Sequence, residues 1–187
     1  MKSTLLPVAA LLTATTLGLT GCGADENPNL KTFLSLHSQF CESDLSSRDE
    51  LAAALSADKR FKPAPGFVGV FETKVDGVSY AVSPEVDGCT TDVMVKNKAS
   101  GKLLFTYAEL NAALDDKGYK TVGKETKRKD MGSDRQDVTI LERTYISPKG
   151  ETTNLDYPAD RPDQYYMTLF AKKFGKPEKS SVSMNNK

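Results

Sequence analysis

Three segments of the chain place apolar residues at helical spacing. Between residues 30 and 41 they recur every three or four positions, which predicts a first helix with one apolar face. Ser47 and Glu50 have the spacing of a capping box, and the apolar stripe after them predicts a second helix to about residue 57. Thr106 and Glu109 repeat that spacing before another apolar stripe, which Gly118 ends, and so predict a third helix.

Other segments alternate apolar with polar residues or are rich in β-branched and aromatic residues, and these predict strands. Asp76-Gly77, between two such runs, is typical of a two-residue hairpin turn. The last run is apolar on both faces over its first half, which predicts a strand that is central or covered on both sides. The polar stretch 151–163 predicts only a short strand, and the charged stretch 128–135 predicts a loop. The six predicted strands are residues 67–75, 78–83, 89–96, 119–127, 136–147 and 165–174.

The order of these elements predicts the fold class. Two helices followed by strands in the order βββαβββ favour an α+β fold, in which about six strands form one antiparallel sheet and the helices pack on one face. The two βββ halves suggest an internal duplication, but their residues do not match well enough to establish one. We expect residues 30–174 to form a single domain. The tail 175–187 lacks apolar periodicity and is expected to be disordered.

The chain begins with the layout of a secretory signal. Met1 and Lys2 give a short positive segment, and an apolar run from Leu5 to Leu19 follows it. The run has about 15 residues, short of the roughly 20 that a membrane-spanning helix needs, and Pro7 weakens it further. We therefore do not expect a permanent transmembrane span.

The residues that end this run, Leu19-Thr20-Gly21-Cys22, resemble the lipobox of bacterial lipoproteins. The resemblance implies that the signal peptide, residues 1–21, is removed and that Cys22 becomes an acylated N-terminus. Several acyl chains would then hold the protein on a membrane, because each buried CH₂ group contributes about 0.8 kcal/mol. The polar stretch 22–29 is typical of a tether between such an anchor and a domain.

An ordinary signal peptide, cut near Gly21 or Ala24, is the alternative explanation of the same residues. For a lipoprotein, the residue after the acylated cysteine bears on location, since those kept at the inner membrane often carry Asp there. This chain has Gly23. The resemblance therefore implies an outer-membrane anchor with the domain in the periplasm, and the cell surface is the alternative.

Assigning Cys22 to lipid leaves two of the three cysteines, Cys41 and Cys89. An exported protein meets an oxidising compartment, where two cysteines have only one pairing. We expect a Cys41–Cys89 disulfide, which loop closure makes worth up to about 4 kcal/mol of stability. His37 lies four residues before Cys41, a spacing that also suits a thiol catalyst, but a bridged cysteine is not a nucleophile.

The ionisable residues contain no recognisable catalytic or metal-binding motif. The 25 basic and 25 acidic residues balance, which argues against nucleic-acid binding. With one His and no Cys-x-x-Cys, only carboxylates remain as metal ligands, and none has calcium-loop spacing, so we predict no metal and no cofactor. Glu72, Asp87, Glu142 and Asp156 are candidates for a glycosidase pair, but no spacing singles out two of them. We therefore predict no catalytic residues.

The candidates for partner binding are aromatic and basic side chains. Tyrosine and arginine are enriched where binding energy concentrates at protein interfaces. The competing explanations are half-buried packing for tyrosines on strands and a solvated turn for the basic residues. The candidates are Tyr157, Tyr165, Tyr166, Arg128 and Arg135.

Together these features predict a membrane-anchored envelope lipoprotein that acts as a non-catalytic binding or assembly module. We expect the partner to be another envelope protein, with cell-wall polymer or a lipidic ligand as alternatives. An inhibitor of an envelope or foreign hydrolase is a second hypothesis, and it requires a rigid protruding loop such as 128–135 or 156–163. A carboxylate-dependent hydrolase is a third, and it requires a cleft with two acids of different pKa.

Overall fold

The computed structural model describes residues 27–97 and 100–174 of the chain. The predicted signal peptide, the predicted acylation site Cys22 and the predicted disordered tail 175–187 lie outside the described residues. The first helix, α1, spans Pro28–Leu36 and continues as a π-helical turn, His37–Cys41. The Asn27 side chain accepts hydrogen bonds from two backbone N–H groups of the first turn, which would otherwise lack partners.

Two further helices begin at the caps that the sequence predicts. Helix α2 spans Arg48–Ala57 and α3 spans Tyr107–Asp116. The capping box of α3 is complete, because Thr106 and Glu109 bond to each other's backbone N–H. In α2 only half of the box forms, since the Glu50 carboxylate accepts from the N–H and hydroxyl of Ser46 instead of closing on Ser47.

The strands form one antiparallel sheet, which confirms the α+β class but not the predicted number of strands. The sheet has eight strands in the order β1-β2-β3-β4-β8-β7-β6-β5. Every neighbouring pair is antiparallel. The strands are β1 (Lys62–Pro63), β2 (Phe71–Val75), β3 (Val78–Pro84), β4 (Gly88–Val93), β5 (Lys120–Met131), β6 (Asp137–Ile146), β7 (Thr152–Pro158) and β8 (Met167–Lys172).

The sheet consists of two four-strand meanders, β1–β4 and β5–β8, that meet where β4 pairs with β8. Helix α2 precedes the first meander and α3 precedes the second, so the two halves share an element order. The final strand therefore lies in the middle of the sheet, as its apolar sequence predicts. Buried residues alternate along β8, so only one of its two faces is fully buried.

Three segments differ from the secondary structure that the sequence predicts for them. The predicted strand 67–75 is paired only from Phe71 onward, and the loop before it leaves Phe67 exposed. The predicted loop 128–135 is shorter, because β5 continues to Met131 and the chain turns only afterwards. The polar stretch 151–163, for which only a short strand is predicted, contains the seven-residue strand β7 between β6 and β8. Its polar residues point away from the core while Thr153, Leu155 and Tyr157 point into it.

The core lies between the helices and one face of the sheet. The π-helical turn contacts β4 and β8, and α1 and α2 contact β3. Helix α3 reaches the same face, since Asn111 accepts hydrogen bonds from Arg143 and Tyr145 on β6. Buried residues of all three helices and of the central strands form one cluster. Within the described residues, the opposite face of the sheet carries no helix.

Candidate functional site

A row of paired residues crosses the helix-free face of the sheet. Residues opposite each other in a ladder point to the same face, so the strand register places these side chains next to one another. They come from seven strands, and four of them are carboxylates. In order across the sheet they are Glu72, Ala81, Asp92, Thr168, Asp156, Glu142 and Thr126. We call these seven residues the acidic row.

One arginine pairs with the carboxylates at the β6–β7 side of the acidic row. Arg128 donates hydrogen bonds to Glu142 at 2.8 Å and to Asp156 at 2.6 Å, and it also contacts Asp130. Tyr165 donates to Asp130 at 2.8 Å. Hydrogen bonds from Tyr165 and Arg128 lower the pKa of Asp130 to about 2. Four polar side chains therefore hold this guanidinium in place.

The other part of the acidic row forms the floor of a groove with a volume of about 670 Å³. Glu72, Ala81, Asp92 and Thr168 lie on the floor. The loop between β1 and β2 flanks it with Phe67, the end of β5 flanks it with Met131, and the segment before β8 flanks it with Tyr166. These three side chains are 66%, 68% and 53% exposed. The groove thus combines a polar floor with an apolar rim, the combination typical of ligand sites.

Asp92 is the carboxylate that the floor shields most. It accepts a 2.6 Å hydrogen bond from the Thr168 hydroxyl. Burial raises its pKa to about 6, because a desolvated carboxylate favours its neutral form, and the Thr168 hydrogen bond only partly offsets this. Near neutral pH this side chain is therefore a carboxylate that lacks a cationic partner among the described residues.

The far side of the groove is built from the turn after β5 and the segment before β8. These overlap or adjoin the loops 128–135 and 156–163 that an inhibitor was expected to project. The turn after β5 and the segment before β8 are joined by an ion pair between Arg161 and Asp134. Ser133 donates to Gln164 through both its backbone N–H, at 2.8 Å, and its hydroxyl, at 2.7 Å. These contacts make the two segments one rigid wall, so within the described residues neither of them projects alone.

The structure separates the residues that the sequence proposes for partner binding. Tyr165 and Tyr166 line the groove, and Arg128 lies beside it on the same face. Tyr157 is 6% exposed on the opposite face, where its ring packs against Tyr107 at 5.2 Å and its hydroxyl reaches a backbone carbonyl. Arg135 is exposed in the β5–β6 turn with a φ of 64°. The packing explanation therefore applies to Tyr157 and the solvated-turn explanation to Arg135.

Sequence reasoning missed two parts of this site. Phe67 and Met131 lie outside the predicted recognition group, because an apolar residue near a turn looks the same whether it is buried or exposed. Asp92 gave only a weak sequence signal for a site. It is the single acidic residue of β4, a strand whose other residues are largely buried. Glu72 was one of several acids among which no spacing could choose.

His37 and Cys41 lie together, but in the core and not at a surface. Cys41 and Cys89 are at disulfide-bonding distance, with their Cα atoms 5.1 Å apart. The Nδ1 atom of His37 lies 3.1 Å from the Thr91 hydroxyl. Burial lowers the pKa of His37 to about 3, since the charged imidazolium would lose its hydration. A neutral, buried imidazole beside a disulfide is not arranged for thiol catalysis.

The described part of the chain contains neither a cluster of metal ligands nor a membrane-spanning helix. No group of three or more His, Cys, Asp or Glu residues there has the geometry to hold a metal ion. No described helix is long and apolar enough to cross a membrane.

Comparison with known proteins adds no homologue. No protein-family model, no curated protein and no solved structure matches this chain. The function of this chain therefore has to be inferred from the residues and the geometry of the groove.

Proposed function

We propose that this chain is a lipid-anchored protein of the bacterial envelope that acts as a non-catalytic binding module. The groove on the helix-free face of the sheet is its binding site. One observation carries the proposal: Phe67, Met131 and Tyr166 are large, exposed and gathered around a single groove. Exposed apolar side chains that cluster in this way mark interaction sites, whereas single exposed ones are ordinary.

The size and chemistry of the groove support a ligand site. Its volume of about 670 Å³ lies within the roughly 300–1,000 Å³ of ligand pockets. Polar groups on the floor can orient a ligand while the rim buries apolar surface. The Arg128 network and the Arg161–Asp134 pair fix the neighbouring side chains, so little conformational entropy is lost there on binding.

A carboxylate-dependent hydrolase is the second candidate, and Asp92 favours it. A carboxyl group with a raised pKa inside a cleft is the usual form of a general acid. Glu72 is the other carboxylate of the floor, two strands away. A variant of Asp92 distinguishes the two functions. Asp92→Asn would abolish hydrolysis by this mechanism, whereas a binding module would still bind its partner through the apolar rim.

Photocrosslinking tests the groove directly. A benzoylphenylalanine in place of Tyr166 is expected to crosslink a defined partner in intact cells, because this side chain stands on the groove rim. Val86 provides a matched control, since it is 60% exposed and lies outside the groove. We expect Phe67→Ser to reduce the Tyr166 crosslink several-fold, as truncating an apolar anchor costs on the order of 2 kcal/mol. Equal crosslinks from Val86 would argue against the groove.

The lipid anchor has its own test. In the wild-type protein we expect the N-terminal peptide to begin at Cys22 and to carry acyl mass, and we expect the protein to stay with the membrane fraction. Cys22→Ser should remove both properties, because one acylated residue supplies the whole attachment. Intact mass and cell fractionation measure this. A wild-type N-terminus near Gly21 or Ala24 without acyl groups would replace the anchor by an ordinary signal peptide.

A further inference from the structure

The groove has an uneven charge. Of the described side chains that line it, only Glu72 and Asp92 are ionisable at neutral pH, and no Lys, Arg or His is among them. Asp92 bonds to the Thr168 hydroxyl, which does not neutralise it. Lys62 lies opposite Glu72 in the β1–β2 register, yet no ion pair joins them within the described residues. The floor therefore presents two carboxylates to whatever enters.

Two of the neighbouring cations, Arg128 and Lys96, are already paired. Arg128 is committed to Asp130, Glu142 and Asp156. Lys96 lines a smaller cavity of about 370 Å³ that adjoins the groove, and its ammonium group lies 3.7 Å from Asp163. Neither cation neutralises Glu72 or Asp92. A positively charged group of a ligand would therefore be attracted to these two carboxylates.

The shape of the groove favours an extended chain. Its floor runs from β2 across β3 and β4 to β8, which is three interstrand spacings, or about 14 Å. Four extended residues span about 13–14 Å. The rim supplies the aromatic rings of Phe67 and Tyr166, on which an apolar side chain of such a segment can pack.

We propose that the groove binds a short extended peptide segment that carries a Lys or Arg side chain beside an apolar one. The cationic side chain reaches Asp92 and Glu72, and the apolar side chain packs on Phe67, Met131 and Tyr166. This inference rests on the proposed function and specifies its ligand. It also explains why an acidic floor lies beneath an apolar rim. An apolar ligand alone would bury the floor carboxylates without a partner, which is energetically costly.

A peptide library tests the ligand class. The protein, purified from membranes in non-ionic detergent, is incubated with a positional library of acetylated, amidated tetrapeptides. We expect enrichment of Lys or Arg at one position and of apolar residues at another. The best Lys peptide and its norleucine analogue are then compared by calorimetry, and we expect the Lys peptide to bind about tenfold more tightly, a modest value for a paired charge.

Matched variants identify the groups involved. Asp92→Asn should reduce the preference for Lys over norleucine several-fold, and Glu72→Gln should do so as well. Asp116→Asn removes an exposed carboxylate at the end of α3, far from the groove, and should leave the preference unchanged. Phe67→Ser should weaken both peptides equally. Because burial already disfavours the Asp92 carboxylate, we expect Asp92→Asn to fold, and its circular dichroism spectrum checks this.

The results separate this inference from the proposed function. If norleucine binds as tightly as Lys, or the library enriches acidic residues, the cationic ligand is wrong while the groove can still be the binding site. If no tetrapeptide is enriched, the peptide inference is overturned. If the Tyr166 crosslink is absent as well, the proposed function fails with it.

Discussion

Replacing both Cys41 and Cys89 by alanine is expected to lower the free energy of unfolding by about 3–4 kcal/mol. The two residues are 48 positions apart in the chain, so their bridge removes many conformations from the unfolded state. Both are fully buried, and the bridge joins the π-helical turn to the start of β4. This loss is a large part of the net stability of a typical domain, about 5–15 kcal/mol.

Urea unfolding of the wild-type protein and the double variant measures this loss, with the m-value showing whether the native state stays compact. Cys22→Ser is the control, because it also removes a cysteine but leaves the bridge intact. Mass spectrometry of unreduced protein should find the peptides of Cys41 and Cys89 linked. Two free thiols in the exported protein, or a stability change below about 1 kcal/mol, would contradict the expectation.

Acid should destabilise the fold through His37 by about 2 kcal/mol at pH 5. Its pKa is about 3 in the folded protein and 6.5 in an exposed imidazole. Because the folded pKa is depressed, the unfolded state binds the proton first. The stability is therefore fully present above pH 6.5 and is lost progressively as the pH falls toward 3.

The comparison of His37→Gln with wild type over this pH range isolates the effect, because Gln keeps a polar group near Thr91 but does not titrate. We expect the difference in unfolding free energy between the two proteins to change by about 2 kcal/mol between pH 7 and pH 5. Acid has the opposite effect on stability through Asp92. Its folded pKa is raised to about 6, so its protonation as the pH falls stabilises the fold. A pH-independent difference would show that the imidazole titrates normally in the folded protein.

Local signals in the sequence determined several elements correctly. Ser47 and Thr106 cap their helices, and Asp76-Gly77 forms the tight turn between β2 and β3, with both residues at positive φ. Such features depend on backbone groups within a few residues of each other, so a short stretch of sequence contains all the information needed. The pairing of Cys41 with Cys89 followed from the number of cysteines and from the expectation of an oxidising compartment.

The strands that were misassigned depend on contacts that are distant in sequence. Segment 152–158 reads as polar because alternate residues face the helix-free side, and only its position between β6 and β8 makes it a strand. Arg128 reads as part of a charged loop, whereas three carboxylates from β5, β6 and β7 surround it in the sheet. Propensity is a weak guide where neighbouring strands provide the partners.

The sequence by itself determined the α+β class, the N-terminal caps of α2 and α3 and the cysteine pair, since each depends on neighbouring residues or on composition. It also predicts the anchor at Cys22. Only the tertiary structure decided the strand order and with it the acidic row, because strands far apart in the chain contribute its members. It also decided that Tyr157 is buried while Phe67, Met131 and Tyr166 surround a groove. A binding surface is a property of distant segments brought together, and pairing register is what brings them together.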